Sequence, residues 1–196
     1  MHIGLSKTGT SAIQTFLYRN RDRLLKKFKV LYPQTGIFMG GGIPAHYSLA
    51  FSLFKPGEAK SLNVAPFEDF MDQLKREMDE AKPEEVVISS EAFMHYKDEP
   101  VLEKFSLTLN ELFEEIYILV YLRRQDLWQE SSYSQVIKDY SMRVKVIFKK
   151  SVEYSKTLNW LLMYDSFLNR WKTFFPKANI TPRIYDKKEL PNGDVI

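Results

Sequence analysis

Apolar positions along the chain fall into blocks whose period switches between that of a helix and that of a strand. Residues 11–28 set Ile13, Phe16, Leu17, Leu24, Leu25 and Phe28 at roughly helical spacing, with Arg19, Arg21, Arg23, Lys26 and Lys27 on other faces. A second pattern opens at Pro66, with Phe67, Phe70, Met71, Leu74 and Met78 against Glu68, Asp72, Lys75, Arg76 and Glu80, and Pro83 stops it. Further helices are predicted over Ala45–Phe54, ended by Pro56-Gly57, and over 98–115. Two more run from a cap at Asp126 to about Asp139, and from Leu158 to Phe175 before Pro176.

Between these blocks lie apolar runs of strand length: Val30-Leu31-Tyr32-Pro33, Glu85–Ser90, Ile116–Leu122 and Ile180–Tyr185. Met142–Phe148 fits either period, and Gly36–Pro44, with Gly40-Gly41-Gly42, is expected to be a flexible loop with room for a substrate. Strands alternating with helices predict an α/β fold, a central parallel sheet flanked by helices in three α/β/α layers.

At 196 residues, 44% hydrophobic, the chain is long enough for one well-buried core, so a single domain over 1–196 is expected. Both ends read as cut. Only Met1–Ile3 precede the first turn where a parallel strand needs about five residues, and Asp194-Val195-Ile196 stop inside an apolar run. A net charge of +3 excludes a large nucleic-acid-binding field but allows a local basic pocket. With no cysteine there is no disulfide framework, thiolate metal site or cysteine nucleophile, and three scattered histidines argue against a histidine metal site. No stretch reads as a membrane span or signal segment, which fits a cytoplasmic protein.

The candidate chemistry begins at Met1-His2-Ile3-Gly4-Leu5-Ser6-Lys7-Thr8-Gly9-Thr10-Ser11, a short strand, a glycine-bounded loop and a helix start. Such a loop aims backbone N–H groups and a helix dipole at one anion. Gly4 and Gly9 sit where a nucleotide-triphosphate loop has its glycines, but Thr10 stands where the lysine should be and Lys7 lies inside the loop. A plain helix N-cap at Thr10 or Ser11, boxed by Gln14, is the alternative reading. A second cluster, Arg123-Arg124-Gln125-Asp126-Leu127-Trp128-Gln129-Glu130-Ser131-Ser132-Tyr133-Ser134-Gln135, follows the clearest buried strand. Arginine and serine eight residues apart can grip one phosphate, by Arg123 with Ser131 or by Arg124 with Ser132. The alternative is a surface Arg-Arg before a serine-rich helix start.

Together, Lys7–Ser11 and Arg123…Ser131 resemble the sulfotransferases that use 3′-phosphoadenosine 5′-phosphosulfate (PAPS), in their bacterial carbohydrate-type branch. The likeness covers the first helix, the strand at 86–91 and the block 117–137. It implies a P-loop-like fold, PAPS as co-substrate with 3′,5′-adenosine bisphosphate (PAP) as product, no metal, and a hydroxyl or amine acceptor, in particular a carbohydrate. It implies that Lys7, Thr8, Gly9, Thr10 and Ser11 hold the 5′-phosphosulfate, that Arg123 and Ser131 hold the 3′-phosphate, and that Lys7 neutralises the leaving oxygen. Glu91, at a strand end, and His46, after the glycine run, are the candidate bases. His2 reads as a sheet residue, and His95 has no supporting context. Trp128, Tyr133, Trp160 and Trp171 suit a base-stacking role or a core, and Lys145, Lys149 and Lys150 suit an anionic acceptor or a solvated face. Two other readings stay open: a kinase with an altered P-loop, and a nucleotide-binding or interaction module without catalysis.

Overall fold

A computed structural model describes residues 1–54, 64–96, 98–138 and 162–196. In chain order it contains α1 (Thr10–Phe28), β1 (Val30–Leu31), β2 (Phe38–Gly40), β3 (Ile43–Ala45), α2 (Tyr47–Phe51), α3 (Phe67–Ala81) and β4 (Glu85–Val86). A 3-10 helix (Glu91–His95), α4 (Glu99–Leu112), β5 (Tyr117–Leu122), α5 (Gln125–Lys138), α6 (Tyr164–Phe174) and β6 (Asn179–Ile184) follow. The chain is of the α/β class. The expectations for Pro56-Gly57, Met142–Phe148, Lys145, Lys149, Lys150, Trp160 and the start of the last helix lie outside the described residues.

Two parallel pairs, β1 with β4 and β5 with β6, are joined through the N-terminal segment. His2 bridges in parallel to Ser89 on one side and to Leu119 on the other. The amide of His2 donates to the Ile88 carbonyl and that of Ser90 to the His2 carbonyl; Ile3 and Leu5 donate to Leu119 and Tyr121. The parallel order is therefore β1, β4, residues 1–5, β5, β6, with the chain's first residues in the middle. From that centre the chain moves out to β1, returns to β4, then crosses to β5 and β6. The connections thus depart to both sides of residues 1–5, and a crevice opens beyond the carboxyl ends of the strands at such a switch.

The helices follow from their patterns. In α3 the buried residues are Phe67, Phe70, Met71 and Leu74, the i, i+3, i+4, i+7 stripe that meets a core. Pro66 occupies its N-cap, and Lys82, at φ 46°, ends it in the left-handed region. Phe93, Tyr96, Phe105, Trp171 and Phe175 are buried together, Phe93 and Phe105 stacking at 5.3 Å and Trp171 and Phe175 at 5.5 Å. This aromatic cluster anchors the 3-10 helix, helped by the Tyr96 hydroxyl donating to the Ala50 carbonyl at 2.7 Å. Trp171 is therefore core, not a stacking platform.

Three expectations need correction. Gly36–Pro44 is not an open loop: β2 and β3 pair antiparallel, Gly40 opposite Ile43, about a two-residue turn of Gly41 (φ 60°) and Gly42 (φ 83°). Two positive φ values in succession give the turn whose twist matches a hairpin, and glycine meets them without a side-chain clash. Asp126 does not cap α5. Its carboxylate takes both forks of the Arg124 guanidinium at 2.7 and 2.6 Å, and the Trp128 amide bonds to the Arg124 carbonyl. In α1 Thr10 and Gln14 are buried and Ile13, Leu17, Leu24 and Leu25 half-buried, while Phe16 and Phe28 are exposed, so the inward stripe mixes apolar and polar positions and leaves out two of the six apolar ones.

Candidate functional site

The first loop leaves the middle of the sheet and is held from several sides. Lys7 has φ 64°, a left-handed conformation that a side chain adopts only when its surroundings enforce it. Those surroundings are three hydrogen bonds: Arg123 Nη1 to the Lys7 carbonyl (3.1 Å), Trp128 Nε1 to the Ser6 carbonyl (2.9 Å) and Thr8 Oγ1 to the Leu5 carbonyl (2.5 Å). Trp128 is thus a buried strut of the loop. Gly9 (φ 77°) stands at the N-cap of α1 with no side chain capping the helix, so Thr10, Ser11 and Gln14 do not form the alternative cap. The amides of Lys7, Gly9, Thr10 and Ser11 have no acceptor among the described residues. Unsatisfied amides at a helix start, with the dipole behind them, form an anion cradle.

This loop lines a cavity of about 660 Å³ with Glu91, Met94 and His95 after β4, Arg123, Trp128, Ser131, Ser132 and Gln135 after β5, Tyr185 after β6, and Ile43 of the hairpin. Residues more than a hundred positions apart meet because the parallel strands bring their carboxyl ends to one edge. Lys7 Nζ lies 3.3 Å from Gln135 Oε1, so the ammonium reaches across to α5. The Arg123 guanidinium sits 5.8 Å from the Tyr185 ring centre. Ser131 lines the cavity, and the Ser132 hydroxyl there is buried with no partner among the described residues. Arg124 points away, and its guanidinium holds the Asp126 carboxyl down at about 2. Of the two arginine–serine pairs, Arg123 is the one that faces the cavity.

Glu91 accepts from the Thr10 hydroxyl at 2.9 Å and from the Tyr47 hydroxyl at 3.0 Å. Burial, and then the adjoining carboxylate, raise the Tyr47 hydroxyl above its ordinary value, so Tyr47 stays a donor. Gly4 keeps Glu91 close: a Cβ there would stand 3.2 Å from the Glu91 Cα. Because Thr8 bonds Leu5 and Thr10 bonds Glu91, neither hydroxyl is directed to an anion, and those positions offer backbone amides instead.

His46 is not brought to the cavity. It is fully buried between sheet and hairpin, Nε2 3.1 Å from the Pro33 carbonyl and Nδ1 3.1 Å from the Ser89 amide. That pattern fits a neutral ring donating from Nε2 and accepting at Nδ1, and burial lowers its pKa to about 4. His2 is a sheet residue, bonded to the Ser89 hydroxyl at 2.8 Å. Tyr133 is exposed and does not line the cavity. Among the described residues no cluster of acidic and histidine side chains is arranged to hold a metal ion, and no helix is long and apolar enough to cross a membrane.

Sequence reasoning passed over Ile43, Met94, His95, Gln135 and Tyr185 as site residues. Tyr185 had a signal, since it leaves a strand end as Arg123 does. Gln135 lies on α5 one turn beyond Ser131. Ile43 and Met94 had none, being apolar residues brought in by the hairpin and the 3-10 helix.

No family model and no solved structure matches the chain. A protein of Archaeoglobus fulgidus, named only as an uncharacterized protein, is 41% identical over 111 residues, 57% of this chain and 28% of its own length. The match therefore takes in little more than a quarter of that relative.

Proposed function

We propose that this chain carries the nucleotide site of a sulfotransferase, moving a sulfuryl group from PAPS to a hydroxyl or amine acceptor. One observation carries the reading: the Lys7 loop and Arg123 with Ser131, far apart in sequence, line a single cavity with a carboxylate, Glu91, beside them. The residues fit such a nucleotide. The open amides of Lys7, Gly9, Thr10 and Ser11 suit a 5′-phosphosulfate, and Arg123 with Ser131 and the unpartnered Ser132 hydroxyl suits a 3′-phosphate.

In the proposed reaction Glu91 takes the proton of the acceptor hydroxyl as its oxygen bonds to sulfur. The bond from sulfur to the 5′-phosphate oxygen breaks, and that oxygen keeps the electron pair. Lys7 and the loop amides meet the charge that builds there, a stabilisation that needs no reorganisation at the moment of transfer. Thr10 and Tyr47, donating to Glu91, hold the carboxylate in place and leave it lone pairs for the acceptor proton. A carbohydrate acceptor belongs to this proposal on the strength of the resemblance.

Calorimetric titration with PAP, without metal, tests the reading. The wild-type chain is expected to bind in the micromolar range, and Lys7→Ala and Arg123→Ala to bind about tenfold or more weakly while keeping the wild-type circular dichroism. A folded wild-type chain that ignores PAP, or that binds ATP with magnesium in preference, overturns it.

A further inference from the structure

Helix α1 concentrates the positive charge of the protein. Residues 10–29 hold six basic side chains and one acidic, a net +5 in a chain whose total is +3, so the remainder is slightly acidic. That charge is sorted by face. At 3.6 residues per turn, Ala12, Phe16, Arg19, Arg23, Lys26 and Lys27 fall within an arc of about 100°, a stripe about 22 Å long, and all six are exposed. Thr10, Gln14 and Leu17 occupy the opposite side.

Arg21 turns with the inward set and is tied there. Its Nη1 donates to the Tyr18 carbonyl at 2.9 Å, its guanidinium lies 4.5 Å from the Tyr18 ring centre, and the helix's own acid, Asp22, stands 3.9 Å from its Nε. Among the described residues Arg19, Arg23 and Lys26 make no ion pair. Phe16 is 42% exposed at one end of the helix and Phe28 53% exposed at the other, with Lys27 Nζ 5.3 Å from the Phe28 ring centre.

Cations in a row meet phosphates or carboxylates spread over a surface, and each adds to the attraction. Exposed phenyl rings ask for something further, since they have no polar handle and neither a nucleic-acid duplex nor a soluble glycan has hydrocarbon to cover them. An anionic bilayer has both: charged headgroups for the cations and the acyl boundary just beneath for the rings. Ser11, next to Ala12, is exposed and lines the cavity, so the stripe starts at the cavity's rim.

We infer that the outward stripe of α1 is a docking surface for an anionic lipid bilayer, holding the protein peripherally with the rim of the cavity beside the membrane. The stripe is separate from the residues proposed to bind nucleotide, and it acts whatever the cavity takes.

The test is flotation of the full chain with vesicles of phosphatidylcholine alone and of phosphatidylcholine with about 30% phosphatidylserine. Binding to the anionic vesicles is expected to be about tenfold or more tighter than to the neutral ones, and to weaken about tenfold between about 0.1 and about 0.5 M NaCl. Arg19→Glu with Arg23→Glu should weaken it about tenfold or more. Lys172→Glu with Lys177→Glu, the same charge change on exposed side chains of α6 and the turn after it, should weaken it less than about threefold. Phe16→Ser should weaken it about threefold and leave the salt dependence in place. All five positions are exposed, and circular dichroism at the wild-type level verifies that each variant is folded. Equal binding to the two vesicle types, equal losses from the two double variants, no effect of Phe16→Ser, or tighter binding to duplex DNA than to anionic vesicles at the same phosphate concentration overturns the inference.

Discussion

Arg123 donates from Nη1 to the carbonyl oxygen of Lys7 at 3.1 Å, tying the end of β5 to the loop that leaves the middle of the sheet. One guanidinium therefore serves two ends, fixing the left-handed Lys7 backbone with one donor and presenting the rest of its fork to the cavity. Its neighbour Arg124 faces solvent and pairs with Asp126.

Arg123→Lys keeps the charge and loses the fork. Loss of one charged hydrogen bond, about 1.5–3 kcal/mol, corresponds to about ten- to a hundredfold weaker PAP binding. Arg124→Ala, by contrast, should leave binding and the urea midpoint within error of wild type. Calorimetry and urea titration on the two variants check the pair, and equal effects would place the phosphate grip on the wrong arginine.

Thr10→Val removes the hydroxyl that orients Glu91 and spares the amides of the loop. PAP affinity is expected to change less than about threefold while the rate of transfer to a hydroxyl acceptor falls about tenfold. Thr10→Ser should restore the rate. Calorimetry beside a sulfate-transfer assay separates the two, and a loss of PAP affinity matching the loss of rate would assign Thr10 to the nucleotide instead.

Gly36 and Gly41 share positive φ but not surroundings. A Cβ on Gly36 would stand 2.6 Å from the Leu49 Cβ and 3.1 Å from its backbone nitrogen, whereas one on Gly41 meets nothing within 4 Å. Gly41→Ala should cost about 1–2 kcal/mol from the left-handed conformation alone, and Gly36→Ala more, because helix backbone must shift as well. Urea unfolding of both variants gives the order, and equal losses would contradict it.

Burial holds the folded His46 at about 4, below the 6.5 of a free imidazole. As pH falls from about 6.5 toward 4 the unfolded chain takes up a proton that the folded chain refuses, so stability drops by up to about 1.4 kcal/mol per pH unit from this residue. His2, also lowered to about 4 by burial, acts in the same direction. Urea midpoints measured from pH 7.5 to 4.5 should fall with pH, and His46→Gln should flatten the slope by about one proton's share. An unchanged slope would mean that His46 titrates freely in the folded chain.

What could be read from the chain was local in origin. The loop between Gly4 and Gly9 declares itself because its turns need glycine and because an open helix start follows within a few residues. The stripe of α3 and the apolar run of β5 are periodicities that any short window contains, so their elements were legible to within a few residues. Lys7, Arg123 and Ser131 could be singled out for the same reason, as polar groups at fixed offsets from those elements.

The remaining features depended on contacts between distant segments. Whether Gly40-Gly41-Gly42 is a slack loop or a hairpin turn is decided by the pairing of β2 with β3, and Arg123 is separated from Arg124 by the loop and by Asp126. His46 and Glu91 are both polar residues near strand ends. Only the packed structure buries the first between Pro33 and Ser89 and sets the second on the cavity beside Thr10 and Tyr47. Local sequence specifies which backbone conformations are cheap, whereas side-chain burial and the company a charge keeps are set by the order of strands in the sheet, which no short window encodes.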